Sequence, residues 1–448
     1  MLTLLNESLW GDEAFSALAV MKSFHEMIGV VMRDTAPPGF YVLGWLWIRM
    51  FGSSEIALRS LSLLLILGAA AFGGLIVYEI SKKKVVSLLT TLICFLNPFS
   101  FIYAFEWRMY ALLAFTTLGS IYFFVSRKWK GYIVLTVLAL YTHHFSLFTV
   151  AAEGLWFLVI EFSHVHKFSK EKLVMIFKHL WPFWLVILMY LPWVYPMYLQ
   201  TIRVQGAGFW LKAPTFEEAK NLMLKFITGG VPVKWTLGVR YLVVAIVIFK
   251  DWKNYYKKFF EILLLVVSPV VFSFIISYLV TPVFYDRYLL SVVIGMGVLI
   301  GLGSKKWVIP GLVTLVLIYG YFSYQQFTHP QKQSFSELAS YVKNEFKEGD
   351  FLLNYNGKAH HLWETKYYGI PAPIYVPKGE LPLYVGTAQM TNGDIIRNIP
   401  REVNRVMVIT SEAYENVSIE KPWVKGDYRE FGKLKIIFLV KDNLVQIL

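Results

Sequence analysis

Apolar runs of about twenty residues recur along the chain, as in Ile56–Ile80, Ile262–Val280 and Trp307–Tyr324. Each is long enough to cross a hydrocarbon core roughly 30 Å thick, and nothing else in the sequence restricts the fold as strongly. Only 16% of the residues are charged and 56% are hydrophobic, with a mean hydropathy of +0.51. Soluble domains carry roughly 25% charge. A polytopic helical membrane protein is expected.

The net charge of +13 is unevenly placed. Residues 325–448 hold 15 basic and 14 acidic side chains, so nearly all of the excess lies in the apolar part. Nucleic-acid binding needs a basic face on a soluble domain, and the soluble part is close to neutral; no nucleic-acid partner is expected. The single cysteine, Cys94, excludes an intrachain disulfide.

The apolar segments run over 56–80, 84–104, 107–126, 131–142, 143–162, 179–198, 235–249, 259–281, 284–303 and 307–324. Basic links join several of them: Lys82–Lys84, Arg127–Lys130, Lys167–Lys178, Lys250–Lys258 and Lys305-Lys306. The positive-inside rule places all five in the cytoplasm. Successive cytoplasmic links need an even number of crossings between them, so the stretch 131–162 must be a hairpin with its outer apex near His143-His144. Parity also removes Pro37–Phe51 as a crossing. With Pro37-Pro38 at its start and Tyr41, Trp45 and Trp47 along it, this stretch reads as a helix in the interface.

Ten crossings follow over residues 1–324. The outer side receives residues 1–55, the turn Phe105–Trp107, the His143-His144 apex, the loop 199–234, the turn Pro282–Asp286 and everything after 325. Thr215-Phe216-Glu217-Glu218 carries a capping-box pattern, the start of a second interfacial helix. Residues 331–448 alternate a polar helix, Phe335–Phe346, with strand-like runs at Phe351–Tyr355, Val406–Thr410 and Ile436–Val440. A small extracytoplasmic α/β domain is expected there. No apolar helix delivers residues 1–36 to the outside, so an upstream helix preceding this sequence is expected.

Five polar constellations share the outer side. Asp12-Glu13 is either a helix start with first-turn acids or a base for a hydroxyl. Asp34 stands just ahead of the diproline, followed by Glu55 and Arg59, which are spaced to pair on a helix. Glu106-Trp107-Arg108 is either an interface ion pair or a site orienting a phosphate or a sugar hydroxyl. His143-His144 is either a polar apex or, with a carboxylate, a metal ligand. Arg287 either binds phosphate or snorkels.

Asp-Glu in an outer loop, a diproline, Phe-Gly-Ser-Ser-Glu-Ile-Ala-Leu-Arg, Asn-Pro-Phe followed by Glu-Trp-Arg-Met-Tyr-Ala, and Tyr-Thr-His-His-Phe occur here in one order. That series resembles the membrane glycosyltransferases of the GT-C fold, in the group of protein O-mannosyltransferases and lipid A aminoarabinose transferases. The resemblance is dense over residues 8–150, thinner over 280–324 and architectural beyond. It implies a multi-pass plasma-membrane enzyme that takes a sugar from a polyprenyl-phosphate donor, with inversion, to an extracytoplasmic acceptor of unspecified kind. Membrane lipid is the other expected partner. Asp12 then matches the catalytic acid, Glu13 its neighbour and Glu106 the second acidic site. Arg108 and Tyr110 share the Glu106 motif; Arg287 matches a phosphate-binding residue, with Tyr288 beside it, and all four are expected at the substrate. Asp34 and His143 fall near positions that hold a divalent metal in some relatives. Ala36 departs from the group, where His or Lys often precedes the diproline. The competing reading is a transporter or flippase for a lipid-linked or anionic substrate. It fits less well, because the charges gather at the rim and no half-repeat is visible.

Overall fold

A computed structural model describes residues 2–163, 170–207, 210–248, 252–303, 307–356, 361–400 and 402–441. Lys167, Lys250, Lys305 and Lys306 of the basic links lie outside the described residues.

Three short helices come first: α1 (Gly11–Met21), α2 (Phe24–Arg33) and α3 (Gly39–Phe51). The thirteen residues of α3 reach about 20 Å at 1.5 Å per residue, too short to span. Its rings are tied laterally: Trp45 Nε1 donates to the Lys22 carbonyl at 3.2 Å and Trp47 Nε1 to the Ala57 carbonyl at 2.7 Å.

The bundle follows, with α4 (Glu55–Ser81), α5 (Lys84–Leu96), α6 (Pro98–Tyr103), α7 (Tyr110–Val125), α8 (Trp129–Thr142), α9 (Ser146–Ser163), α10 (Lys170–His179) and α11 (Trp181–Ala207). It continues through α12 (Phe216–Thr228), α13 (Val233–Ile248), α14 (Trp252–Leu279), α15 (Leu290–Gly301) and α16 (Val308–Thr328). Among the described residues four helical stretches are long and apolar enough to cross a membrane alone: Glu55–Ser81, Trp181–Gly206, Lys257–Leu279 and Val308–Thr328. The α12–α13 pair, bent by 79°, makes a fifth if it is one broken span. Helices α5, α7 and α8 are apolar but shorter.

Two differences from the sequence reading have local causes. The run 84–104 breaks at Asn97-Pro98, where proline withdraws a backbone donor. The Asn97 Oδ1 accepts the Phe99 N–H at 3.0 Å and Nδ2 donates to the Phe226 carbonyl at 3.0 Å, so the break is capped and tied to α12. Helix α11 runs past residue 198 to Ala207 with Pro192 and Pro196 inside it, carrying Gln200 to α2, where Nε2 donates to the Val31 carbonyl at 3.1 Å. Helix α4 packs closely on α5 because Gly74 leaves room: a Cβ there would lie 2.0 Å from Thr91 Oγ1. Small residues at such crossings let helix backbones approach.

The C-terminal part begins with α17 (Phe335–Glu345) and adds α18 (Leu362–Tyr367) to six strands: β1 (Asp350–Asn354), β2 (Ile374–Tyr375), β3 (Ile395–Ile396), β4 (Arg405–Thr410), β5 (Trp423–Phe431) and β6 (Leu434–Lys441). They form one sheet in the order β3-β2-β1-β4-β6-β5. The first four are parallel; β6 pairs antiparallel with β4 and with β5. This sheet domain rests on α1 and on the start of α4. Tyr367 Oη donates to the Ser53 carbonyl at 2.6 Å, Gln389 Nε2 to the Phe15 carbonyl at 2.7 Å, and Trp363 meets Phe15 edge-on at 5.4 Å.

Candidate active site

Chain segments far apart in sequence meet at one end of the bundle, around α1. They are the start of α4, the α6–α7 turn, the α8–α9 turn, the segment before α15 and the end of α16. Leu4 N donates to the Phe327 carbonyl at 3.2 Å, and the α8–α9 turn is tied to α11 by His144 Nε2 with Gln200 Oε1 at 3.2 Å.

Asp12 and Glu13 occupy the first turn of α1, where carboxylates suit the positive end of the helix dipole. A helix sends neighbouring residues about 100° apart, and these two part company. Glu13 turns inward and is fully buried. Its Oε1 accepts from Arg59 Nε at 3.1 Å and from the Trp107 N–H at 2.8 Å. Its Oε2 accepts from Arg59 Nη2 at 2.8 Å and from Lys332 Nζ at 2.9 Å. Glu7 joins the same knot, 3.4 Å from Lys332 Nζ. Burial alone would raise the Glu13 carboxyl, but Lys332 and Arg59, with the Trp107 N–H, overcome it and hold the group down at about 2. Arg59, spaced to pair with Glu55, instead reaches across to Glu13, while Glu55 accepts from the Tyr368 hydroxyl at 3.0 Å.

Asp12 turns outward into a cavity of about 800 Å³ between the bundle and the sheet domain. Its Oδ2 lies 3.2 Å from Arg287 Nη1, and its side chain is 41% exposed. Arg287 also donates to the Tyr285 hydroxyl at 3.0 Å and stacks over Trp10, Tyr110 and Tyr285. Arg108 braces the same turn of α1, with Nη1 on the Asp12 carbonyl at 3.2 Å and on Ser16 Oγ at 2.7 Å. Glu106 lines the cavity at 8% exposure, and its Oε1 has no hydrogen-bond partner among the described residues. Burial pushes its carboxyl up to about 7, against the pull of Lys332 and Arg287 and with the push of Glu13 and Asp12. Tyr110 and Tyr288 close the floor with rings 5.9 Å apart.

The cavity therefore brings together Asp12, Asp34, Glu106, Arg108, Tyr110, Arg287 and Tyr288; Glu13 and His143 do not line it. Asp34 accepts the Tyr41 hydroxyl at 3.3 Å, and burial raises its carboxyl. His143 is buried against Tyr288 at 4.9 Å, its Nδ1 accepting the Phe145 N–H at 3.2 Å. Among the described residues no three His, Cys, Asp or Glu side chains come together as metal ligands. No step below is routed through a metal. Lys332, His361 and Glu364 also border the cavity. Sequence reading passed over them; for the last two, the one-turn spacing His361-Leu362-Trp363-Glu364 was an available signal.

The helical membrane bundle with its small C-terminal sheet domain has the GT-C fold. Solved structures that share it include ArnT from Cupriavidus metallidurans in the apo state, with a TM-score of 0.60, and the same protein bound to undecaprenyl phosphate, with 0.62. Both superpositions cover 97% of this chain, and 94% and 95% of the respective neighbours, at 12% sequence identity. At the level of sequence, no protein-family profile and no curated relative matches the chain.

Proposed function

We propose that this protein transfers a hexosyl or pentosyl group from a polyprenyl-phosphate donor to an acceptor hydroxyl on the outer face of the plasma membrane. The observation that carries the reading is the Asp12–Arg287 contact of 3.2 Å at the cavity wall. It sets a base and a phosphate-binding cation side by side, as a displacement at a phosphate-activated sugar requires. The shared fold with an ArnT bound to undecaprenyl phosphate supports the donor class. The described basic links Lys82–Lys84 and Arg127–Lys130, at the ends of α4 and α7 away from the cavity, support the sidedness.

In this mechanism the donor phosphate draws Arg287 away from Asp12 and leaves the carboxylate free. The acceptor oxygen attacks the anomeric carbon as the carbon–oxygen bond to phosphate breaks. The hydroxyl proton passes to Asp12, and the electron pair departs with the phosphate, whose charge Arg287 counters. One displacement inverts the anomeric centre. Glu106, whose carboxyl burial raises, hydrogen-bonds the donor sugar. Arg108 positions the Asp12 turn, and the rings of Tyr110 and Tyr288 form the floor under the donor. Glu13 acts as a positioning residue that anchors α1 from below.

Purified protein in lipid nanodiscs, supplied with polyprenyl-phosphate sugars and envelope acceptors, tests this. Asp12→Asn is expected to lower transfer by about 10²–10⁴-fold, and Arg287→Ala to weaken donor binding first. Undiminished transfer by Asp12→Asn removes it from the mechanism.

A further inference from the structure

The cavity wall facing Asp12 belongs to the sheet domain, and the mechanism above makes no use of it. His361 and Glu364 stand there one helical turn apart, at 5% and 4% exposure. The His361 Nδ1 is 3.5 Å from Glu364 Oε1, longer than a hydrogen bond. Both His361 nitrogens and Glu364 Oε2 have no hydrogen-bond partner among the described residues. A buried polar atom left unpaired is costly, and three in one turn on a cavity wall await groups from the cavity.

The place is defined by its neighbours. A Cβ on Gly11 would come within 3.3 Å of Glu364 Oε1, so the carboxylate lies against the residue that precedes Asp12, and glycine leaves it the room. Phe335 packs on the His361 ring at 5.0 Å. The Trp363 indole is fixed by its Nε1–H on the Val385 carbonyl at 2.9 Å. All three of these residues border the same cavity. An imidazole offers one donor and one acceptor, and a carboxylate accepts only. Side by side, next to flat aromatic surface, they match neighbouring hydroxyls on a sugar ring and disfavour an anion.

Building on the glycosyl-transfer reading, we infer that His361 and Glu364 form the acceptor subsite, which holds hydroxyls of a neutral carbohydrate and presents one of them to Asp12. The acceptor is then selected by the sheet domain, and the donor by the bundle.

Saturation-transfer NMR on the full chain in nanodiscs tests this with methyl mannoside and methyl glucoside as neutral probes and glucose 6-phosphate as the anionic one. At least one neutral glycoside is expected to receive saturation, and its affinity to fall by about tenfold or more in Glu364→Gln and in His361→Gln. Near-isosteric Glu364→Gln keeps the fold. The inference is overturned if neither glycoside binds, if both variants bind it like the parent, or if the phosphorylated sugar is preferred. Undecaprenyl phosphate binding to the same parent sample separates the two claims. If the lipid binds while the glycosides do not, the subsite falls and the transfer reading stands. If the glycosides bind as expected and the lipid does not, the subsite stands and the transfer reading falls.

Discussion

Beneath α1 and above it lie two acidic regions that differ in one respect, the accounting of their charges. In the knot below, Glu7 and Glu13 face Arg59 and Lys332, two of each sign; both Glu13 oxygens are engaged at 3.1 Å or less, and Glu7 Oε1, without a hydrogen bond among the described residues, is held by charge 3.4 Å from Lys332 Nζ. In the cavity above, Glu106 and Glu364 each keep an oxygen with no partner among the described residues. Buried groups of the first kind fix one conformation. Groups of the second kind cost stability until a ligand arrives, and the raised Glu106 carboxyl, set in a cleft, is of the sort that marks functional sites. On the proposed reading Glu13, one residue from Asp12, is a fixture, while Glu106, 94 residues away, belongs to the chemistry.

The largest expected effect comes from breaking the knot. Glu13→Gln leaves Arg59 buried beside a neutral partner, and loss of one member of a buried pair costs about 3–5 kcal/mol. Denaturant titration of the purified protein is expected to show that loss for Glu13→Gln and for Arg59→Met. The double variant should lose less than the sum, because the two groups share one interaction. Additive losses would break the comparison at its lower half.

The two regions are also expected to respond to pH in opposite senses. The Glu13 carboxyl lies below its ordinary 4.5, so its contribution is present above that pH and is lost as pH falls toward about 2. The Glu106 carboxyl lies above 4.5, so the folded state holds its proton longer, and stability declines as pH rises from 4.5 to about 7. Glu106→Gln removes that decline. The variant is expected to exceed the parent at pH 8 by up to about 3 kcal/mol, and to match it near pH 4. Parallel stability curves for the two proteins between pH 4 and 8 would contradict an ionising Glu106.

Much of this was legible because membrane and interface impose patterns a sequence must obey. The runs 56–80 and 307–324 became α4 and α16, and the Thr215 capping box formed with Thr215 Oγ1 accepting the Glu218 N–H at 3.2 Å. The diproline does precede a short helix with its tryptophans anchored laterally. What local rules could not reach was partner choice. Glu55 and Arg59 sit at the spacing that pairs on an exposed helix, yet Arg59 is fully buried, and its fork of donors is met by the Glu13 carboxylate together with the Leu5, Glu7 and Ser8 carbonyls. Lys332 reaches Glu13 across 319 positions, a distance over which no sequence period speaks. The strand β5 escaped because Lys425, Asp427, Arg429 and Glu430 break the apolar alternation on an exposed edge, as edge strands commonly do.

The smallest effect lies at the border between the two regions. The Tyr368 hydroxyl accepts the Leu9 N–H at 2.8 Å and donates to Glu55 Oε1 at 3.0 Å, tying the sheet domain to the chain just before α1 and to the start of α4. It touches neither the Glu13 carboxylate nor the cavity. Tyr368→Phe keeps the ring and deletes both bonds, for a loss of about 1–2 kcal/mol. Because α1 remains held from below by Arg59 and from above by the edge-on Phe15–Trp363 pair, the geometry around Asp12 should persist. Thermal unfolding is therefore expected to shift down slightly while sugar transfer, assayed well below the transition, stays at the parental rate. A fall in transfer at unchanged fold would mean that the sheet domain's seating sets the Asp12 geometry directly, and the border between knot and cavity would have to be redrawn to include Tyr368.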